Sequence, residues 1–224
     1  MLEPRLSAPV TEVDVFLADI RDHDCESMIG QLAAEDRARL ARISHARRRA
    51  QFIIGRRLLD LGLRQRHGHA SASWRLAAGA GKPRLLGDGA PEVSLSHARE
   101  LVLCAIADVP IGLDVEYCRE RDFPALVEQM VGTDGRDRYL RLGDDVYGEA
   151  FYRIWTLREA LFKLQGDWPS GTSWWPDEPD SGEKIVIHTF IRPVAGFMAT
   201  VAVRGSGPVR IAMNAIVTAN LRVD

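Results

Sequence analysis

Apolar and polar residues alternate over residues 10–20 around Val13, Val15 and Leu17, the two-residue period of a half-buried strand. The period then lengthens to that of a helix. Met28, Ile29, Leu32, Ala33, Leu40 and Ile43 fit one helix over residues 25–43, and Phe52, Ile53, Leu58, Leu59 and Leu63 fit another over 47–63. Gly62 is a candidate end for the second helix, with His67-Gly68-His69 in the loop beyond. Strand character returns over 73–77, and Gly79-Ala80-Gly81-Lys82-Pro83 is a loop by composition. Residues 93–95 and 101–107 predict a hairpin that turns at Ala98-Arg99-Glu100, and 111–115 a short apolar strand after the Asp108-Val109-Pro110 break.

The second half of the chain repeats this grammar. Residues 123–130 and 137–142 predict helices, and 148–164 a longer one with Phe151, Ile154, Trp155, Ala160 and Leu161 as its apolar set. A loop rich in Trp, Pro, Gly and Ser covers 167–183, and strands are predicted over 184–191, 197–204 and 209–217. The expected class is α+β: two similar halves, 1–109 and 110–224, related by a pseudo-twofold, each with helices packed on an antiparallel sheet.

Composition adds exclusions. The 224 residues are 46% hydrophobic and 27% charged with a formal net charge of -2, an ordinary globular balance with no global case for nucleic acid or an acidic membrane surface. Cys25, Cys104 and Cys118 are odd in number and widely spaced, which predicts neither a disulfide framework nor a zinc site. The start lacks a basic segment followed by an apolar one, and no apolar run approaches the ~18 residues of a membrane helix. A soluble, cytoplasmic protein is expected.

Four segments carry candidate chemistry. In Ile111-Gly112-Leu113-Asp114-Val115-Glu116, two carboxylates at i and i+2 share one strand face, where they repel unless a cation lies between them. A hard divalent cation fits, and so does a strand that ends at Val115 with Glu116 solvated. Glu159 and Lys163 are an i, i+4 helix pair; alone they read as an ordinary surface salt bridge, but Trp155 on the same face makes a cleft plausible. Ser96-His97 closes the strand Val93-Ser94-Leu95-Ser96-His97; adjacent residues point to opposite faces, so the two are not nucleophile and base, while His97 suits either an anion or a structural role. Arg37, Arg39, Arg42, Arg47, Arg48, Arg49, Arg56 and Arg57 crowd the second helix, as a solvated face or a phosphate site. Lys82 follows in a glycine-rich loop that is not a Walker motif.

Taken in order, the arginine cluster, Gly81-Lys82-Pro83, Ser94-Leu95-Ser96-His97, Gly112-Leu113-Asp114-Val115-Glu116 and the run from Trp155 to Lys163 resemble the Sfp-type 4'-phosphopantetheinyl transferases, from about residue 47 to 166. The resemblance implies that family's fold. It also implies transfer of phosphopantetheine from coenzyme A to a serine of an apo acyl, peptidyl or aryl carrier protein, with release of adenosine 3',5'-bisphosphate. Asp114, Glu116 and Glu159 would hold Mg²⁺. Lys163, Ser96 and His97 would meet the CoA phosphates, Lys82 and Pro83 the nucleotide end, and one of Arg48, Arg49 and Arg56 the 3'-phosphate, with Arg56 preferred for its place after Gly55. The base would be Asp134, where the family commonly has Glu, or else Glu116 or a metal-bound water. Arg158 stands where Lys is usual. A monomer serving fatty-acid or secondary-metabolite carriers is the implied setting; a non-catalytic CoA- or carrier-binding member is the alternative. Carrier docking is expected near Phe123, Leu126 and Met130, with Arg136, Arg138 and the tryptophans of the 167–183 loop close by.

Overall fold

The computed structural model describes residues 10–77, 82–141, 147–166, 186–205 and 207–216. Strand β1 (Thr11–Asp19) leads through short 3-10 turns to α1 (Ala34–Leu40) and the long α2 (Ala46–His67). Two-residue strands β2 (Arg75–Leu76) and β3 (Leu85–Leu86) pair with each other. Then come the hairpin β4 (Glu92–Ala98) and β5 (Leu101–Ala107), strand β6 (Ile111–Tyr117), helices α3 (Phe123–Leu140) and α4 (Tyr147–Gln165), and strands β7 (Val186–Ile191), β8 (Phe197–Arg204) and β9 (Val209–Ala215). The α+β expectation holds.

These elements form layers. One sheet has the order β4-β5-β1-β9 and another β6-β8-β7. Strand alternation gives each sheet two apolar faces. Phe16, Val93, Val102, Cys104 and Ile106 face α2 and bury Ile53, Ile54, Leu58 and Leu59. Val13, Val15, Leu103 and Ala105 meet Ile111, Leu113, Val115, Val201 and Val203 between the sheets. The outer face of the second sheet, with Met198 and Ala202, covers Ile154, Leu157, Ala160 and Leu161 of α4. The result is helix, sheet, sheet, helix, with three apolar seams.

The hairpin turns as predicted, with Arg99 at φ 49 at its tip. Other expectations change. The apolar set over 25–43 is not one helix: a 3-10 segment (Glu26–Gln31) ends in extended backbone at Leu32 (ψ 149) and Ala33 (ψ 155) before α1 begins. Gly30 weakens that segment as a helix, while Met28, Leu32 and Leu40 still bury their side chains without it. Gly62 does not end α2. It lies inside, where a Cβ would come within 2.7 Å of Phe16 and 2.8 Å of Ile106, so it permits close helix–sheet approach; Gly68, at φ 56, is the terminator. The separate helices expected over 123–130 and 137–142 are borne out in kind: α3 is two helical stretches parted at Gly132, whose backbone (φ 72, ψ -177) is not helical. Phe123, Leu126 and Met130 are partly buried against α4, which takes up part of the expected docking face, and Arg136 pairs with Glu128 at 3.6 Å. The tryptophan-rich loop, including Trp168, Trp174 and Trp175, lies outside the described residues. Finally, β9 does not extend a C-terminal meander. It pairs in parallel with β1, Val13 opposite Ile211, so the last strand of the second half completes the first sheet.

Helix α4 approaches β6 at Gly112, where a Cβ would collide with the Ala160 carbonyl oxygen and lie 2.9 Å from Leu164 N. Gly112→Ala should therefore destabilise the protein by about 3 kcal/mol or more by overpacking, whereas Gly30→Ala, with open space at its Cβ, should stay within about 0.5 kcal/mol. Urea denaturation checks this. Equal midpoints for the two variants would contradict the close helix–strand contact.

Candidate active site

Strands β4 and β6 run side by side as edge strands of different sheets. Alternation turns Ser94 and Ser96 toward β6, while Val93, Leu95 and His97 face α2. Ser94 Oγ accepts the Leu113 N–H at 3.0 Å, and Ser96 Oγ accepts the Val115 N–H at 3.2 Å. Lysines complete the same edge: Lys82 Nζ donates to the Ile111 carbonyl at 2.8 Å and Lys163 Nζ to the Leu113 carbonyl at 2.9 Å.

On the α4 side of β6 stand Gly112, Asp114 and Glu116, as the i, i+2 spacing predicts. Asp114 is 5% exposed. Its Oδ1 accepts Ser96 Oγ at 2.9 Å and Lys163 Nζ at 2.8 Å, while its Oδ2 is buried without a hydrogen-bond partner. Glu116 Oε1 accepts the Trp155 indole N–H at 3.2 Å. Burial pushes all three carboxyls up. For Asp114 it works against the Lys163 ammonium and the Ser96 hydroxyl. For Glu116 burial acts first and the Asp114 charge second, giving a value of about 6. Glu159 is raised by burial and then by Asp114. Asp114, Glu116 and Glu159 therefore sense one another as like charges. Lys163 gives its ion pair to Asp114 rather than to Glu159 in its own helix.

No group of three His, Cys, Asp or Glu side chains among the described residues is gathered into a metal-binding cluster. The donor set nevertheless fits a hard divalent cation: three oxygen donors whose charges oppose one another, one of them with an orphaned buried oxygen.

Beside this group, on the α2 face of β4, lies a cavity of about 320 Å³ lined by His45, Arg47, Arg48, Gln51, His97 and Arg99. The Arg48 guanidinium contacts the His97 ring, 2.5 Å from Nε2 and 3.2 Å from Nδ1. Guanidinium has no acceptor, so the ring must be neutral there. Burial first and then Arg48 push His97 down to about 4, and Lys163 adds to the effect, which ties the cavity electrostatically to the carboxylate group. Gln51, 5% exposed, braces the cavity by donating to the Arg99 carbonyl at 2.6 Å.

Of the three arginines considered for an anion, Arg48 lines this cavity. Arg56 does not: it pairs with Asp36 at 2.8 Å and lies 4.7 Å from the Phe52 ring centroid. Arg49 donates to the Leu40 carbonyl at 3.1 Å and pairs with Glu26 at 3.6 Å. Lys82, with Pro83 beside it, sits by Glu92 at the opposite end of β4 from His97. Glu92 and His97 are five strand steps apart, roughly 17 Å. Asp134 is exposed on α3 and makes no described contact with the carboxylates. Arg158 donates to the Met130 carbonyl beside the Gly132 kink, so it ties α3 to α4.

Sequence reasoning missed the hold of Trp155 on Glu116 as a hydrogen bond, Ser94 as a strand bridge, and Gln51 and Arg99 as parts of the cavity. Two of these left a signal: an indole on the Glu159 face and a basic residue at a hairpin tip.

Residues 110–183 match the model of the 4'-phosphopantetheinyl transferase superfamily. The chain is 30% identical over 159 residues to the 4'-phosphopantetheinyl transferase HetI of Nostoc sp., covering 66% of this chain and 65% of that protein. It is 30% identical over 88 residues to the 4'-phosphopantetheinyl transferase psf-1 of Bacillus pumilus, covering 39% and 37%. With the Bacillus subtilis 4'-phosphopantetheinyl transferase it shares 22% identity over 142 residues, 63% of each chain. These matches span less than two thirds of the relatives' own lengths. They bear out the similarity to the Sfp-type family read from the motifs.

The His97 environment has a pH signature. An unfolded imidazole titrates near 6.5, and the folded one near 4. The unfolded chain therefore binds this proton first as pH falls, and the folded state loses stability between about 6.5 and 4. NMR should find His97 titrating near 4, and Arg48→Ala should move it upward. A wild-type value at or above 6.5 would contradict the Arg48–His97 contact.

Proposed function

We infer that this chain, whose residues 110–183 match the 4'-phosphopantetheinyl transferase superfamily, transfers 4'-phosphopantetheine from coenzyme A to a serine of an apo acyl or peptidyl carrier protein. One observation supports this most: the arginine-lined cavity at His97 and the three coupled carboxylates lie on either side of Ser96, with the Lys163 ammonium between them. A polyanion that carries a pyrophosphate and a distant phosphate needs both parts.

In the proposed reaction the carrier serine oxygen bonds to the β-phosphorus of CoA, and the bond from that phosphorus to the oxygen of adenosine 3',5'-bisphosphate breaks. The serine proton passes to a carboxylate. Glu116, fixed by Trp155, is better placed to take it than exposed Asp134. Arg48 and its neighbours hold the 3'-phosphate by charge-assisted hydrogen bonds. Lys163, whose three N–H groups are taken by Ser96, Asp114 and the Leu113 carbonyl, supplies positive charge beside the pyrophosphate. Asp114, Glu116 and Glu159 are the residues that would hold Mg²⁺, which supplies charge neutralisation on the phosphate oxygens. The first half of the chain thus serves the nucleotide and the second the metal and carrier.

The test is incubation with CoA, Mg²⁺ and an apo carrier protein, followed by intact mass measurement of the carrier. A gain of one phosphopantetheine per carrier is expected, and its loss on chelation. Asp114→Asn should slow transfer at least ~100-fold. Binding of CoA without any mass gain would favour a non-catalytic role.

A second comparison separates the arginines. Arg48→Ala should erode the preference for CoA over dephospho-CoA by about tenfold or more. Arg56→Ala should leave that ratio intact and lower stability, since it breaks the ion pair with Asp36. A shift in the ratio with Arg56→Ala alone would return the 3'-phosphate to Arg56.

A further inference from the structure

The hydroxyl of Ser96 has no hydrogen-bonding capacity left. A serine has one proton to donate and two lone pairs. The proton goes to Asp114 Oδ1 at 2.9 Å, and the lone pairs take the Val115 N–H at 3.2 Å and the Lys163 ammonium at 3.0 Å. Lys163 closes the triangle by donating to Asp114 Oδ1 at 2.8 Å and anchors it through the Leu113 carbonyl at 2.9 Å. The three side chains are thus tied to one another and to two backbone groups of β6. Ser94, two residues earlier on the same face, accepts the Leu113 N–H at 3.0 Å and reaches neither charged group. Both serines bridge the strands, but one of them also meets the ion pair.

We propose that Ser96 is a positioning residue: its hydroxyl sets the Lys163 ammonium against the Asp114 carboxylate, while Ser94 serves the strand junction alone. This differs from a phosphate-binding role for the Ser96 side chain, which would have to break one of these three bonds. The consequence for catalysis rests on the function proposed above; the positioning does not. Lysine has four rotatable side-chain bonds and considerable entropy to lose when fixed. With 23% of its side chain exposed, Lys163 has solvent within reach once the triangle opens. Loss of the Ser96 hydroxyl also leaves a nearly buried Asp114 short of a second partner, since its Oδ2 already has none.

Chemical acetylation of the native, metal-free protein, followed by peptide mass spectrometry, reads this directly. In Ser96→Ala, Lys163 should be modified about tenfold faster than in the wild type, the equivalent of one hydrogen bond to a charged group. In Ser94→Ala its rate should stay within about twofold, and Ser96→Thr, which keeps the hydroxyl, should stay near wild type. Lys82, which caps the same strand edge at Ile111, is the internal reference and should not change. Equal Lys163 rates in the two alanine variants would overturn the proposal, as would a parallel rise at Lys82, because either means general loosening. Titration with Mn²⁺ by electron paramagnetic resonance adds a second readout: Ser96→Ala should weaken binding about tenfold and Ser94→Ala should not. If the wild type binds no Mn²⁺, the functional reading falls, and the acetylation pattern still decides the positioning.

Discussion

A strand edge without a backbone partner governs this molecule. β6 is an edge strand, yet it is buried against β4, the edge of another sheet. Its outward N–H and C=O groups have no ladder to join and little water to meet, and each would cost roughly 1–3 kcal/mol if left bare. Side chains fill the gap in register. The Ile111 carbonyl takes Lys82, the Leu113 N–H meets Ser94, the Leu113 carbonyl takes Lys163, and the Val115 N–H meets Ser96. Two hydroxyls and two ammonium groups thus close one side of the sheet sandwich.

The chemistry follows from that closure. Because two of the four caps are lysines, cationic charge is built into the seam, and Asp114 can be ionised at 5% exposure beside one of them. Glu116 and Glu159 are drawn into the same field, and burial together with the Asp114 charge pushes both upward. Three carboxylates against one local ammonium leave negative charge that a divalent cation would relieve. The next residue along β4, His97, points to the opposite face and meets Arg48. One strand end therefore presents the metal side on one face and the anion side on the other. Packing keeps these parts in place: Gly112 lets α4 lie directly on β6, and the buried Thr156–Thr200 hydroxyl contact at 2.6 Å fixes α4 to β8.

Much of this was legible in the residues, and the omissions have physical causes. The hairpin, the bounds of β8 and the shared face of Asp114 and Glu116 follow from period-two alternation, which is local. The pairing of β9 with β1 joins residues nearly a chain length apart and leaves no local mark. The break after Gln31 lies within an apolar pattern that continues across it. Arg56, preferred in the sequence for its place after Gly55, pairs with Asp36 while Arg48 lines the cavity, and the reason is geometric. Eight helical residues place the two about 80° apart around the axis, and sequence alone does not say which side meets β4 and which meets α1. Ser94 was passed over because a serine in a strand carries no chemical signature; only a neighbouring edge in need of an acceptor gives it a role.

Hydrogen exchange at individual amides tests the central claim, that side chains rather than a backbone ladder seal the β6 edge. Among the described residues, the Leu113 and Val115 N–H groups have the Ser94 and Ser96 hydroxyls as their partners. In the intact protein they should exchange as slowly as the amides of Leu103 and Ile106 in the fully laddered strand β5. Exchange at Leu113 and Val115 orders of magnitude faster than in β5, at the rate of an open sheet edge, would contradict the account.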